Sequence, residues 1–121
     1  MANLVQTIKT FDRDTVKISG PLGKIMTLKQ GENAIKAGQV LAYDDDTGKL
    51  VKYNHGTNIA MTIALEDADS SSNDVPVLVA IPGTIINKKA VKGPTLSSDF
   101  KTVKELWGNG ILLEEYEKEE D

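Results

Sequence analysis

The chain has 121 residues with 18 acids, 14 bases, one histidine and no cysteine, the size of one ordinary domain. The missing cysteine excludes disulfides, thiolate catalysis, Cys-ligated zinc and iron–sulfur clusters, and the single histidine, His55, excludes a multi-histidine metal site. Apolar residues make up 40%, enough for a core, but their runs are too short to span a membrane as a helix.

Charge is unevenly placed. Six of the acids and one base fall in residues 114–121, which leaves 12 acids against 13 bases over residues 1–113. The body is therefore close to neutral and the tail strongly acidic. The densest basic stretch is Lys88, Lys89 and Lys92, with no arginine or interleaved aromatic. A nucleic-acid binder neutralises more phosphates than that, so no nucleic-acid partner is expected. Met1 to Gln6 carries no charged side chain and no apolar run follows, so no signal peptide is expected.

Residues 1–13 read as an arm. Leu4, Val5, Ile8 and Phe11 are apolar, but polar residues interrupt them without a clean period. Taken alone, such a segment is a frayed terminus; the other reading is a strand that orders on a partner's sheet edge. Thr15–Ser19 alternates as a short strand, with Val16 and Ile18 on one face. Gly20-Pro21 and Gly23 mark a turn. Lys24–Lys29 alternates again, and Gln30–Asn33 breaks it.

The middle is the most legible part. Val40–Tyr43 and Lys49–Tyr53 flank Asp44, Asp45, Asp46, Thr47 and Gly48, a hairpin pattern whose loop Gly48 closes with a positive φ. Asn54–Asn58 is a polar loop. Ile59–Leu65 reads as a strand and Glu66–Asp74 as a solvent loop. Val75–Ile81 reads as a central strand, with Pro76 placing its start later or at an edge. Thr84–Asn87 resumes it after Gly83, and Ala90-Val91 closes a further short strand.

One helix is predicted next. Ser97 or Ser98 caps it and Asp99 complements its dipole. Phe100, Val103, Leu106 and Trp107 form its apolar face, Gly108 stops it, and Asn109-Gly110 turns the chain. Phe100 and Trp107 are expected as core anchors, or alternatively at an oligomer interface. Ile111–Leu113 is a last strand. The sum is mainly β with one or two short helices (α+β): a compact, small barrel- or sandwich-like domain over residues 14–113. A flexible arm, 1–13, precedes it, and an acidic solvent-exposed tail, 114–121, follows.

No motif in this set carries chemistry. Asp44, Asp46 and Gly48 begin a calcium-loop pattern, but its twelfth position is His55 rather than the bidentate Glu the ion needs; the segment is a polar turn. His55 has no sequence partner to orient it as a base. Gly20-Pro21-Leu22-Gly23-Lys24 is too short for a phosphate loop and contains proline. No cofactor or metal is expected. Lys49, just after the hairpin turn, is the position a swinging-arm carrier domain would modify, although three aspartates precede it.

From Ile35 to Val91 the chain resembles the lambdoid phage head decoration proteins and related capsid cement proteins. The likeness runs through Ala37-Gly38-Gln39-Val40-Leu41, Asp44–Asp46 and Thr47-Gly48-Lys49-Leu50-Val51. It continues through Ala60-Met61-Thr62-Ile63-Ala64, a polar loop, and Val75–Ile81 with Gly83 after it. The resemblance implies a structural protein, not an enzyme, that binds the outside of the expanded phage head as homotrimers. There it would clamp the major capsid protein's lattice against the pressure of packaged DNA. It also implies that the arm orders on the shell, with Leu4, Val5, Ile8 and Phe11 as capsid-binding residues. The protein would be made in the bacterial host cytoplasm and end on the outer capsid surface of the virion, with no membrane partner. Two other readings stand beside this one: another small virion component of the tail or head-completion type, and a carrier or small-ligand β-domain.

Overall fold

The computed structural model describes residues 16–54, 57–92 and 100–114. Ten strands run in chain order: β1 (Lys17–Ser19), β2 (Lys24–Leu28), β3 (Ala34–Ile35), β4 (Val40–Asp44), β5 (Lys49–Lys52), β6 (Ala60–Ile63), β7 (Ala68–Asp69), β8 (Val75–Val79), β9 (Ile85–Asn87) and β10 (Leu112–Glu114). A 3₁₀ turn, Lys88–Ala90, follows β9, and one helix, α1 (Phe100–Gly108), precedes β10. The mainly-β class with a short helix is as predicted.

The strands form three sheets, ordered β1-β9-β10, β6-β4-β5-β2-β8 and β3-β7. They do not close into a barrel. The edges of the five-stranded sheet meet only where Ala64 bridges Val79, supported by hydrogen bonds from the Leu65 N–H to the Leu78 carbonyl and from the Ala80 N–H to the Ile63 carbonyl.

The predicted hairpin is β4–β5, antiparallel from Leu41↔Lys52 to Asp44↔Lys49. Its loop is built by Asp44. Asp44 Oδ1 accepts the Asp46 N–H at 3.0 Å and Oδ2 accepts the Thr47 hydroxyl at 2.9 Å, while Gly48 takes φ +72°. An aspartate that bonds its own following backbone folds such a loop locally.

The run Val40-Leu41-Ala42 is continuous rather than alternating because β4 is buried on both faces. Val40 joins a core cluster with Ile63, Ile86, Leu106 and Ile111. Leu41, pointing the other way, joins Leu28, Ile35, Leu50, Val77 and Val79. The central strand thus divides the core in two.

β8 is an edge strand and includes Pro76, which corrects the central-strand expectation. The Leu78 N–H points off the sheet, to the Glu66 carboxylate at 3.0 Å. Pro76, two residues earlier, presents its missing N–H on that same outer side, where no ladder bond is lost. The Glu66–Asp74 segment is not all loop, since β7 within it pairs antiparallel with β3. Ala90 sits in a 3₁₀ turn rather than a strand, capped by the Asn87 side chain, which accepts the Lys89 N–H.

Helix α1 ends at Gly108, as predicted, and Gly110 in the predicted Asn109-Gly110 turn caps it: φ is +80° there, its N–H reaches the Trp107 carbonyl at 2.9 Å, and the Ile111 N–H reaches the Leu106 carbonyl at 3.0 Å. These are the paired bonds of a Schellman ending, with its usual apolar contact supplied by Leu106 and Ile111 in one cluster. The predicted caps Ser97, Ser98 and Asp99 lie outside the described residues.

Candidate functional site

The sequence-predicted contact residues Leu4, Val5, Ile8 and Phe11 lie outside the described residues, as do His55 and residues 115–121. The fold does place the point where that segment joins the domain. Among the described residues β1 pairs with β9 alone, so Val16, the first of them, stands beside an edge strand.

The acidic and lysine candidates are accounted for structurally. Asp44 is held below the ordinary carboxylate range by the Asp46 N–H, the Thr47 hydroxyl and the Lys29 ammonium. These are the bonds of a turn. Among the described residues no cluster of His, Cys, Asp or Glu is arranged to hold a metal ion, and no helix is long and apolar enough to cross a membrane. Lys49 is in an ion pair, its Nζ 2.6 Å from Asp74 Oδ2. Asp74 also accepts the Gln30 N–H at 2.8 Å, so this pair ties β5 to the ends of β2 and β8 rather than presenting a free lysine at a hairpin tip.

What the described surface does offer is exposed apolar side chains in three places. The first is the turn before β2, where Leu22 and Ile25 stand out of the domain. Ile25 faces Leu78 across the β2–β8 ladder, and Gly23 lies against Leu65 and Leu78: a Cβ there would sit 3.1 and 3.2 Å from their Cδ1 atoms. The second is an open groove of 690 Å³ with Tyr43, Val51, Ile59 and Met61 along it and the Asp44–Asp46 loop at its side. The third is the outer side of α1.

That third surface corrects an expectation. Phe100 and Trp107 are 73% and 68% exposed and are not core anchors. Thr102 and Leu106 take the inside instead. The Thr102 hydroxyl donates to the Tyr53 phenol oxygen at 2.8 Å, and Glu105 Oε1 accepts the Ala60 N–H at 2.9 Å. These bonds set the rotation of the helix against β6. The alternative sequence reading, an interface role for these aromatics, is compatible with their exposure.

Sequence reasoning missed Leu22, Ile25, Tyr43 and Ile59 as surface residues. For Leu22 a signal existed: it is an apolar residue inside a Gly-Pro-x-Gly turn, where burial is hard to arrange. For the groove there was none, because its walls come from β4, β5, β6 and the residues after α1.

A surface with several separate apolar areas and no metal-holding cluster among its described residues is suited to binding other proteins. A model of the family described as bacteriophage lambda head decoration protein D matches residues 5–103. The match starts within the N-terminal segment and ends inside α1. No curated protein matches the chain.

Proposed function

The chain belongs to the bacteriophage lambda head decoration protein D family, and from that membership we propose that it binds the outside of the expanded phage head as a homotrimer and stabilises it against internal DNA pressure. Its partner is the major capsid protein, it carries out no catalysis, and it passes from the host cytoplasm to the outer surface of the virion. The observation that carries this reading is the family match over residues 5–103. Its start at position 5 takes in Val5, Ile8 and Phe11, which supports the reading that these residues contact the shell; Leu4, one residue before the match, is proposed with them as part of the same arm.

The mechanism is linkage. A protein that binds the expanded lattice and not its dissociated parts stabilises the lattice by the free energy of that binding. Ordering an arm costs about 1–2 kcal/mol per residue in backbone entropy. Burying four apolar side chains at about 1.5–3 kcal/mol each does not offset that alone. Strand pairing with the shell protein and the linkage of three arms on one trimer supply the remainder.

The test is co-sedimentation with undecorated expanded shells, using the full chain and a variant lacking residues 2–12. Saturable binding near one copy per capsid subunit is expected for the full chain, with unexpanded shells left bare. The truncated chain is expected to keep its thermal transition and lose shell binding. Absence of binding to either shell overturns the decoration role, and undiminished binding by the truncated chain overturns the arm.

A further inference from the structure

The outer side of α1 is both aromatic and basic. Phe100, Lys104 and Trp107 stand at i, i+4 and i+7, so they form one stripe along the helix, with Lys101 beside it. All four are exposed. Among the described residues neither lysine is paired with an acid. The helix's one acid, Glu105, faces the domain, where Oε1 accepts the Ala60 N–H. The stripe therefore presents two rings and two uncompensated positive charges.

Its charge complement lies in the same chain. Residues 115–121 hold five acids and one base, with Tyr116 as their one large apolar side chain. The topology brings that segment to the helix. The start of α1 is held at Tyr53 by Thr102; the Tyr53 N–H reaches the Val40 carbonyl, and the Val40 N–H reaches the Lys92 carbonyl, beyond the end of β9. Past the other end of α1, the Gly110 carbonyl accepts the Gly83 N–H, just before β9. The helix thus runs antiparallel to β9. β10 runs parallel to β9 and pairs Glu114 with Asn87, so residue 115 departs on the side where α1 begins. The seven residues 115–121 reach about 23 Å when extended at ~3.3 Å each. The nine residues of α1 span only about 14 Å at ~1.5 Å each.

We propose that residues 115–121 dock on the outer face of α1 in the same chain, with their carboxylates against Lys101 and Lys104 and Tyr116 beside the exposed rings. Lys88 and Lys89 lie at the same end, in the 3₁₀ turn; α1 offers exposed rings as well as charge and is the better fit for an acidic segment that carries a tyrosine. A single exposed lysine–carboxylate contact contributes little. A tether this short, however, holds the acids near the lysines at an effective concentration in the millimolar range. The result is a latch that opens and closes readily, weakens with salt, and competes with any other partner of that face.

Trp107 is the chain's one tryptophan, and the chain has no cysteine. A thiol introduced by Asp121→Cys therefore takes a single aminonaphthalene-sulfonate dye, whose sulfonate restores the lost negative charge. Energy transfer from Trp107 to the dye then reads how close the end of the segment lies to the helix. It is measured on the full-length chain at about 10 mM and about 1 M salt, where the Debye length is about 30 Å and about 3 Å. Transfer at low salt is expected to fall about twofold at high salt, as the ion pairs are screened. Two low-salt variants are expected to give the high-salt value: Lys101→Glu with Lys104→Glu, and Glu115→Gln with Glu117→Gln, Glu119→Gln and Glu120→Gln. The second set leaves the described domain untouched, and unchanged thermal transitions check the first. Salt-independent transfer, or either variant keeping the wild-type value, overturns the contact. Loss of transfer in Lys88→Glu with Lys89→Glu, but not in the α1 variant, moves the segment to the 3₁₀ turn and overturns it too. Labelled chain is also mixed with excess unlabelled chain. Transfer within one chain persists; transfer lost on mixing belongs to a contact between copies and overturns the proposal.

Discussion

The buried hydroxyl of Thr102 on α1 donates to the phenol oxygen of Tyr53, just beyond β5, at 2.8 Å. Forty-nine residues separate the two in sequence, and the bond fixes which side of the helix faces the domain. Removing either partner leaves the other's polar atom less satisfied in a buried site, at about 1–3 kcal/mol. Thr102→Val and Tyr53→Phe are each expected to destabilise by that amount. The double variant is expected to cost less than their sum, because the groups share one interaction. Urea denaturation of the four proteins measures the coupling, and strict additivity would refute it.

Leu106 and Trp107 are sequence neighbours with opposite fates. Leu106 is fully buried among Val40, Ile63 and Ile111, so Leu106→Ala is expected to cost about 2–5 kcal/mol through lost transfer energy and a cavity. Trp107, at 68% exposure, is expected to tolerate Ala within about 0.5 kcal/mol. Denaturant midpoints distinguish the two, and a large loss for Trp107→Ala would place that ring in the core after all.

Gly38 stands where two segments meet. Its N–H donates to the Ala64 carbonyl and its carbonyl accepts the Lys92 N–H, both at 2.8 Å. With φ at +100°, a Cβ would fall 2.2 Å from the Ala90 carbonyl oxygen. Gly38→Ala must therefore move backbone, and a loss above about 3 kcal/mol is expected. Gly31 shares a positive φ but has open space around it, so Gly31→Ala is expected to cost only the conformational term, about 1–2 kcal/mol. Comparable losses at both sites would show that φ alone matters at Gly38.

Three surface aspartates make stability depend on acid. Asp74 is depressed by Lys49 and the Gln30 N–H, Asp69 by the Ser71 hydroxyl and N–H, and Asp44 by the Asp46 N–H, Thr47 and Lys29. A carboxylate with a lowered folded value contributes stability that is present above its unfolded value of about 3.9 and lost as pH falls through the folded one. Thermal melts are expected to hold steady for these groups down to about pH 5 and to fall below about pH 4. Asp74→Asn is expected to flatten part of that fall, and an unchanged acid slope in the variant would remove Asp74 from the account.

Features written in adjacent residues were legible. The β4–β5 hairpin follows from Asp44 and Gly48, whose turn chemistry acts within four residues. The turn at Gly20-Pro21 and the helix around Val103 and Leu106 follow from equally local signals. The β3–β7 pair was not legible, because each strand has two residues and its partner lies some thirty positions away. The candidate surfaces divide the same way. Leu4, Val5, Ile8 and Phe11 were visible as apolar residues without a helical or strand period, whereas the groove at Tyr43, Val51, Ile59 and Met61 was visible nowhere in the chain.

The sequence by itself determined the class, the hairpin, the absence of thiol chemistry and the family likeness, since these depend on residue type, short spacing or direct pattern. Only the tertiary structure decided that Val75–Val79 is an edge strand, that β9 and β10 run parallel, and that Leu106 rather than Trp107 enters the core. The reason is physical: which face of a strand or helix is buried is set by the summed packing and hydrogen bonding of distant elements. A tryptophan's apolar area therefore cannot claim the interior when Thr102, Glu105 and Leu106 already hold the helix in another rotation.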